Sequence, residues 1–138
     1  MKNKLKSIVI VLFSGIMLLG IQSCKKYNDG PLISLASRTE RVANTWKVDN
    51  YKVNENDYTS LVTNYTETYT KSCNYSYEWG NFSGTGTWAF QNNDEEIRIT
   101  GTDNQTSVTL FILKLEEKQF SYYYMDGNDK KEFHMIQN

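Results

Sequence analysis

Proline occurs once, at Pro31, histidine once, at His134, and cysteine twice, at Cys24 and Cys73, in a chain of 138 residues. One histidine excludes a histidine-based metal cluster, and any serine or cysteine triad would have to use His134. Two cysteines are too few for the disulfide framework that staples small secreted folds. Long apolar runs are missing as well: Ile8 to Ile21 falls short of the roughly 20 residues that carry a helix across a bilayer. Basic stripes are also absent. Lys25-Lys26 and Lys130-Lys131 are the only basic pairs and both stand among acids, so no nucleic-acid surface is expected.

The first two dozen residues carry the clearest motif. Lys2, Lys4 and Lys6 precede the apolar stretch Ile8 to Ile21, and Ser23 stands just before Cys24. This pattern resembles the signal peptide and lipobox of a bacterial lipoprotein, with Ile21-Gln22-Ser23-Cys24 as the cleavage box. The resemblance implies a leader over residues 1–23, acylation of Cys24, a polar tether over 24–36 and one domain over 37–138. Several acyl chains on one cysteine would hold that domain at a bilayer, each buried methylene contributing about 0.8 kcal/mol. Removal of residues 1–23 leaves 115 residues, enough for a single core. The three leader lysines leave with it, so 12 basic residues face 16 acids and the net charge is −4. Cys73 then has no partner in the chain and is expected to be buried and inert.

Ser37-Arg38-Thr39-Glu40 has capping-box spacing and predicts a brief helix before Trp46. From Thr45 onward the pattern changes to period two, the spacing of strands with one buried face. Trp46 and Val48 share one face. Further runs place Trp88 with Phe90, Ile97 with Ile99, Val108 with Leu110 and Ile112, and Phe120 with Tyr122 and Tyr124. Phe133 stands between Glu132 and His134. Two more strands are expected around Leu61 to Thr70 and Cys73 to Trp79, in a Tyr/Thr/Asn-rich stretch. Short polar turns at Asn92-Asn93-Asp94, Thr102-Asp103-Asn104, Glu116-Glu117-Lys118 and Asp126-Gly127-Asn128 make consecutive strands antiparallel neighbours. About eight such strands can close and remove their exposed edges, which predicts an all-β, antiparallel up-and-down barrel; a β-sandwich is the alternative.

Asn44-Thr45-Trp46, Gly86-Thr87-Trp88-Ala89-Phe90, Ile97-Arg98-Ile99 and Ile112-Leu113-Lys114-Leu115 followed by Phe120 together resemble the small lipocalin-like lipoproteins of Bacteroidota. The resemblance covers roughly residues 40 to 137. It implies that Trp46 takes the part of the tryptophan that closes a lipocalin barrel floor, with Asn44 where glycine is usual. It also implies a barrel that binds a small apolar or amphipathic ligand, with Trp46, Trp88, Phe90, Leu110 and Tyr122 in the interior.

Catalytic chemistry finds little support. A strand histidine such as His134 is most often structural, and nothing in the sequence brings it to Cys73. Asp94-Glu95-Glu96 lacks the alternating oxygen-ligand spacing of a calcium loop, and neither a metal nor a cofactor is expected. The aromatic load stands out, with three tryptophans and ten tyrosines, whose apolar bodies and polar tips suit amphipathic ligands. Tyr77 and Trp79 are expected to be surface aromatics. The expected protein is thus a non-catalytic lipoprotein of the cell envelope, anchored through Cys24 at the outer membrane on its periplasmic or outer face. Its alternatives are a protein-interaction module, inhibiting a hydrolase or assisting an envelope complex, and a glycan-binding surface lipoprotein.

Overall fold

Alternating apolar and polar residues from Thr45 onward produce an all-β wall in the computed structural model, which describes residues 35–101 and 107–138. The leader, Cys24, the tether up to residue 34 and the Thr102-Asp103-Asn104 turn lie outside the described residues. A five-residue helix, α1 (Arg38–Val42), precedes the strands. Its capping box is complete: the Glu40 amide donates to Ser37 Oγ at 3.2 Å, and the Ser37 amide donates to Glu40 Oε2 at 2.9 Å.

Nine strands follow: β1 (Thr45–Val53), β2 (Asn56–Asp57), β3 (Tyr65–Tyr69), β4 (Asn74–Trp79), β5 (Phe82–Gln91), β6 (Glu96–Gly101), β7 (Val108–Leu115), β8 (Gln119–Asp126) and β9 (Asp129–Gln137). Each of β3 to β9 pairs with the next, β1 pairs with β3, and β1 also pairs with β9 from Trp46↔Gln137 to Val53↔Lys131. These pairings close an eight-strand antiparallel barrel, to which the two-residue β2 adds a short flap on the end of β1. Closure of β1 on β9 removes the exposed edges that the first and last strands of an open sheet would leave.

One expectation about this region needs correction. The strand expected over Leu61 to Thr70 begins only at Tyr65, because Thr59–Leu61 forms a 3-10 turn held by the Leu61 amide on the Tyr58 carbonyl. The strand containing Trp88 and Phe90 starts at Phe82 and runs through Gly84 and Gly86. These glycines are poor strand formers, but they stand opposite Tyr77 and Tyr75 in the ladder and leave room for those rings. At Gly86 a Cβ would lie 2.5 Å from the Thr100 carbonyl oxygen, so β5 and β6 approach as closely as they do only because no side chain is present.

The antiparallel order sorts the connections onto two ends. The turns at 70–73, 92–95 and 116–118 lie at one end with α1. At the opposite end lie the 54–64 segment, the Gly80-Asn81 hairpin and the Gly127-Asn128 hairpin. The α1 end is plugged. Val42 and Trp46 are fully buried there, the Trp46 indole N–H donates to the Val42 carbonyl at 2.9 Å, and Arg41 Nη1 reaches the Leu115 carbonyl at 3.0 Å. Arg38 lays its guanidinium over the Phe90 ring, 5.7 Å from the centroid.

Cys73 departs from the expected burial. It sits exposed in the β3–β4 turn at φ 65°, with its amide donating to the Thr70 carbonyl, and this tight turn points its thiol outward. Asn92, Asn93 and Asp94 also adopt positive φ, which such short polar side chains tolerate better than most.

Candidate functional site

Strand β3 reads Tyr65-Thr66-Glu67-Thr68-Tyr69, and alternation sends Tyr65, Glu67 and Tyr69 to the same, inward face. Glu67 is therefore an acid inside an aromatic barrel, only 2% exposed. Its carboxyl group accepts four phenolic hydrogen bonds. Oε1 receives Tyr65 at 2.7 Å, Tyr122 at 2.8 Å and Tyr75 at 3.2 Å, while Oε2 receives Tyr69 at 2.8 Å. Four donors match the lone-pair sites of a carboxylate, so the group is satisfied without a basic partner. No lysine or arginine is ion-paired to it among the described residues.

Burial raises the Glu67 carboxyl above its ordinary range, and the four phenolic hydrogen bonds pull it back. The phenols move upward too. Burial first, and then the charge of Glu67, hold Tyr65, Tyr69, Tyr75 and Tyr122 well above the usual tyrosine range, so they remain donors at neutral pH. Tyr124, nearer the open end, is pushed up to about 12 by burial.

The rings pack as well as donate. Tyr69 sits edge-on to Trp88 at 5.9 Å and to Phe120 at 5.8 Å, and Tyr122 stacks on Phe133 at 5.4 Å. Such pairs contribute about 0.5–1.5 kcal/mol each beyond burial. Trp88 also anchors the floor through its indole N–H on the Thr70 carbonyl at 3.0 Å.

Above the carboxyl lies a cavity of about 320 Å3, walled by Tyr65, Glu67, Tyr75, Leu110, Tyr122 and Tyr124, with Ser107, Met125 and Asp126 toward the end away from α1. That volume is at the lower end of small-molecule sites, roughly 300–1,000 Å3. Around the same end stand exposed apolar side chains: Leu61, Met125, Trp79 at 43% and Phe82 at 70%. The Trp79 and Phe82 rings lie 6.2 Å apart across the Gly80-Asn81 hairpin, where Gly80 takes φ 59°. At the mouth Lys131 pairs with Asp126 and lies 5.9 Å from the Tyr124 ring centroid.

The structure brings most of the expected interior residues together. Trp46, Trp88, Leu110 and Tyr122 are buried in one cluster, and Phe90 is half-buried against it. Trp79 is exposed, as expected, but Tyr77 is not a surface aromatic. It lies on the inward face of β4, half-buried against the core, 6.0 Å from the Tyr65 ring and 6.5 Å from Tyr75. Its phase in β4, two residues from buried Tyr75 on the same face, is the reason. Glu67 itself was not expected, although the sequence holds its signal: an acid in phase with the tyrosines on either side.

His134 lies on the outer face of the wall. Its Nδ1 is 3.2 Å from Ser121 Oγ and its Nε2 is 2.7 Å from Glu132 Oε1. Lys130 bonds Glu132 at 2.7 Å and holds that carboxyl below the usual range. Ser121 and His134 are directly paired in the β8–β9 ladder, so this trio ties two strands together. Among the described residues no group of three or more His, Cys, Asp or Glu is placed to hold a metal ion.

A closed antiparallel barrel, plugged at one end and holding a carboxyl–tyrosine site reached from the other, is the class that this geometry defines. Neither a protein-family model nor a curated protein matches the chain. Among solved structures, the chain is similar to the crystal structure of a DUF4847 family protein from Bacteroides vulgatus, with 13% sequence identity and a TM-score of 0.48, covering 70% of this chain and 94% of that chain.

Proposed function

We propose that this protein is a lipid-anchored, non-catalytic, lipocalin-like barrel of the bacterial cell envelope that binds a small amphipathic ligand in its cup. The observation that carries the reading is the cavity of about 320 Å3 that runs from Ser107, Met125 and Asp126 down to the Glu67–tyrosine cluster. Ile99, Val108 and Leu110 supply apolar burial, while the Glu67 carboxyl and the tyrosine hydroxyls make the exposed lining more polar than apolar, a mixture that suits an amphipathic ligand. All four phenols around Glu67 stay protonated, which suits recognition rather than proton transfer. The Ile21-Gln22-Ser23-Cys24 lipobox supports the anchoring part of this reading, with the domain held through Cys24 at the outer membrane.

Native mass spectrometry of the full chain purified from its own membranes tests this reading. A small-molecule adduct is expected in the native protein and not in Val108→Trp, whose indole would occupy the mouth of the cavity. An adduct-free protein, or one whose adduct survives Val108→Trp, overturns it. Acyl mass on Cys24, and transfer to the soluble fraction in Cys24→Ala, test the anchor.

A second reading has its own observation. Trp79 and Phe82 form an exposed aromatic pair on the rim, which favours contact with a glycan or a protein partner.

A further inference from the structure

Glu67 places a carboxyl at the base of the cup with no basic side chain ion-paired to it among the described residues. Its four partners are phenols, which stabilise the charge by donation but add no positive charge of their own. The same donation points the hydroxyls of Tyr65, Tyr75 and Tyr122 at Glu67 while their rings help to wall the cavity, with Tyr124 completing the aromatic lining. Ring faces carry negative quadrupole potential and attract cations, most strongly where water is excluded. Asp126 stands at the mouth. The protein already uses this affinity beside the cup: the Lys131 ammonium rests over Tyr124 while pairing with Asp126.

We propose that the ligand of this cup is an organic ammonium ion, its cationic head held among the tyrosine rings above Glu67 and its apolar part against Ile99, Val108 and Leu110. The proposal rests on the binding-cup reading and adds the charge of the ligand to it. Neutral amphipathic molecules gain the same apolar burial but leave the Glu67 charge without a counter-ion. An anionic ligand would meet Glu67 and the ring faces with like charge.

The test uses the full chain in phosphatidylcholine nanodiscs, whose zwitterionic surface carries no net charge, with empty discs subtracted. Isothermal titration calorimetry compares phenethylamine with 2-phenylethanol, which differ in the ammonium group against a hydroxyl. Phenethylamine is expected to bind about tenfold tighter or better. Glu67→Gln, which keeps the side-chain shape, is expected to erase that preference and leave 2-phenylethanol within about threefold of its native affinity. Equal affinity of the two probes for the native protein overturns the ammonium proposal and leaves the cup standing. A preference retained by folded Glu67→Gln, its fold checked by near-ultraviolet circular dichroism, overturns the ammonium proposal in the same way. Should Glu67→Gln fail to fold, the native comparison alone decides. Binding of neither probe removes the cup reading and the ammonium proposal together.

Discussion

The Tyr122 hydroxyl donates to Glu67 Oε1 at 2.8 Å, joining β8 to β3 across the barrel interior between residues 55 apart in the chain. Neither strand neighbours the other in the sheet, since β9 and β1 lie between them. The contact therefore exists only because the wall closes. Tyr122→Phe keeps the ring and removes the donor, and is expected to cost about 1–3 kcal/mol, the usual penalty for leaving a buried polar group short of a partner. Urea unfolding of the two proteins measures it. A loss near zero would mean that Tyr65, Tyr69 and Tyr75 satisfy Glu67 alone.

Stability should depend on pH through Glu67. Burial raises its folded-state value above the ordinary 4.5. Below pH 4.5 the carboxyl is protonated in both the folded and unfolded chain, and the stability linked to it is fully present. As pH rises through the folded-state value, the unfolded chain releases its proton first and that stability is lost. The native protein should therefore lose stability relative to Glu67→Gln as pH rises above 4.5. Parallel urea titrations at several pH values check the direction, and a relative gain with rising pH would contradict it.

Gly86→Ala places a Cβ where the Thr100 carbonyl oxygen lies only 2.5 Å away, and both groups are backbone-bound. Relief requires β5 and β6 to separate. An overpacking cost of about 1–3 kcal/mol is expected. Gly80→Ala offers the control: its Cβ would meet nothing within 4 Å, so any loss there reports φ 59° alone. Thermal unfolding of both variants separates steric from conformational cost.

Trp46→Phe removes the indole N–H that holds the Val42 carbonyl and shrinks the plug between α1 and Phe120. The lost hydrogen bond contributes about 0.5–1.5 kcal/mol, with a further penalty for the space left behind. Amide hydrogen exchange should rise in α1 before it rises in β8 or β9. Uniform protection across α1 would show that the helix docks without this bond.

Trp79→Ala tests the rim. The side chain is 43% exposed, so stability should change by no more than about 0.5 kcal/mol, the usual range for surface substitutions. If the rim aromatics contact a glycan, retention of the native protein on an immobilised polysaccharide column should disappear in the variant. Unchanged retention would assign the pair no part in glycan binding.

Strand residues such as Ile97-Arg98-Ile99 and Phe120-Ser121-Tyr122 announce their buried faces by alternation alone, and the structure buries Ile97, Ile99, Phe120 and Tyr122. The capping box at Ser37 and Glu40 was equally legible, because both of its bonds are local. Tyr77 and the start of β5 were not. A strand was expected around Tyr77 but not its inward face, and only the cross-strand pairing of Tyr77 with Gly84 and Tyr75 with Gly86 explains why those rings turn inward and why β5 reaches back to Phe82. Cys73 eluded composition for the opposite reason, since a turn at positive φ exposes a residue type that is usually buried.

The sequence by itself determined an antiparallel all-β chain with a capped N-terminal turn and an aromatic inner face, because period, turn chemistry and capping act between residues close in the chain. Only the tertiary structure decided what that inner face encloses. Tyr65 and Tyr69 flank Glu67 locally, but Tyr75 arrives by the β3–β4 register and Tyr122 by closure of β1 on β9. Alternation states which side of a strand a residue occupies; register and closure state which sides meet, and a buried carboxyl among four phenols is a product of that meeting.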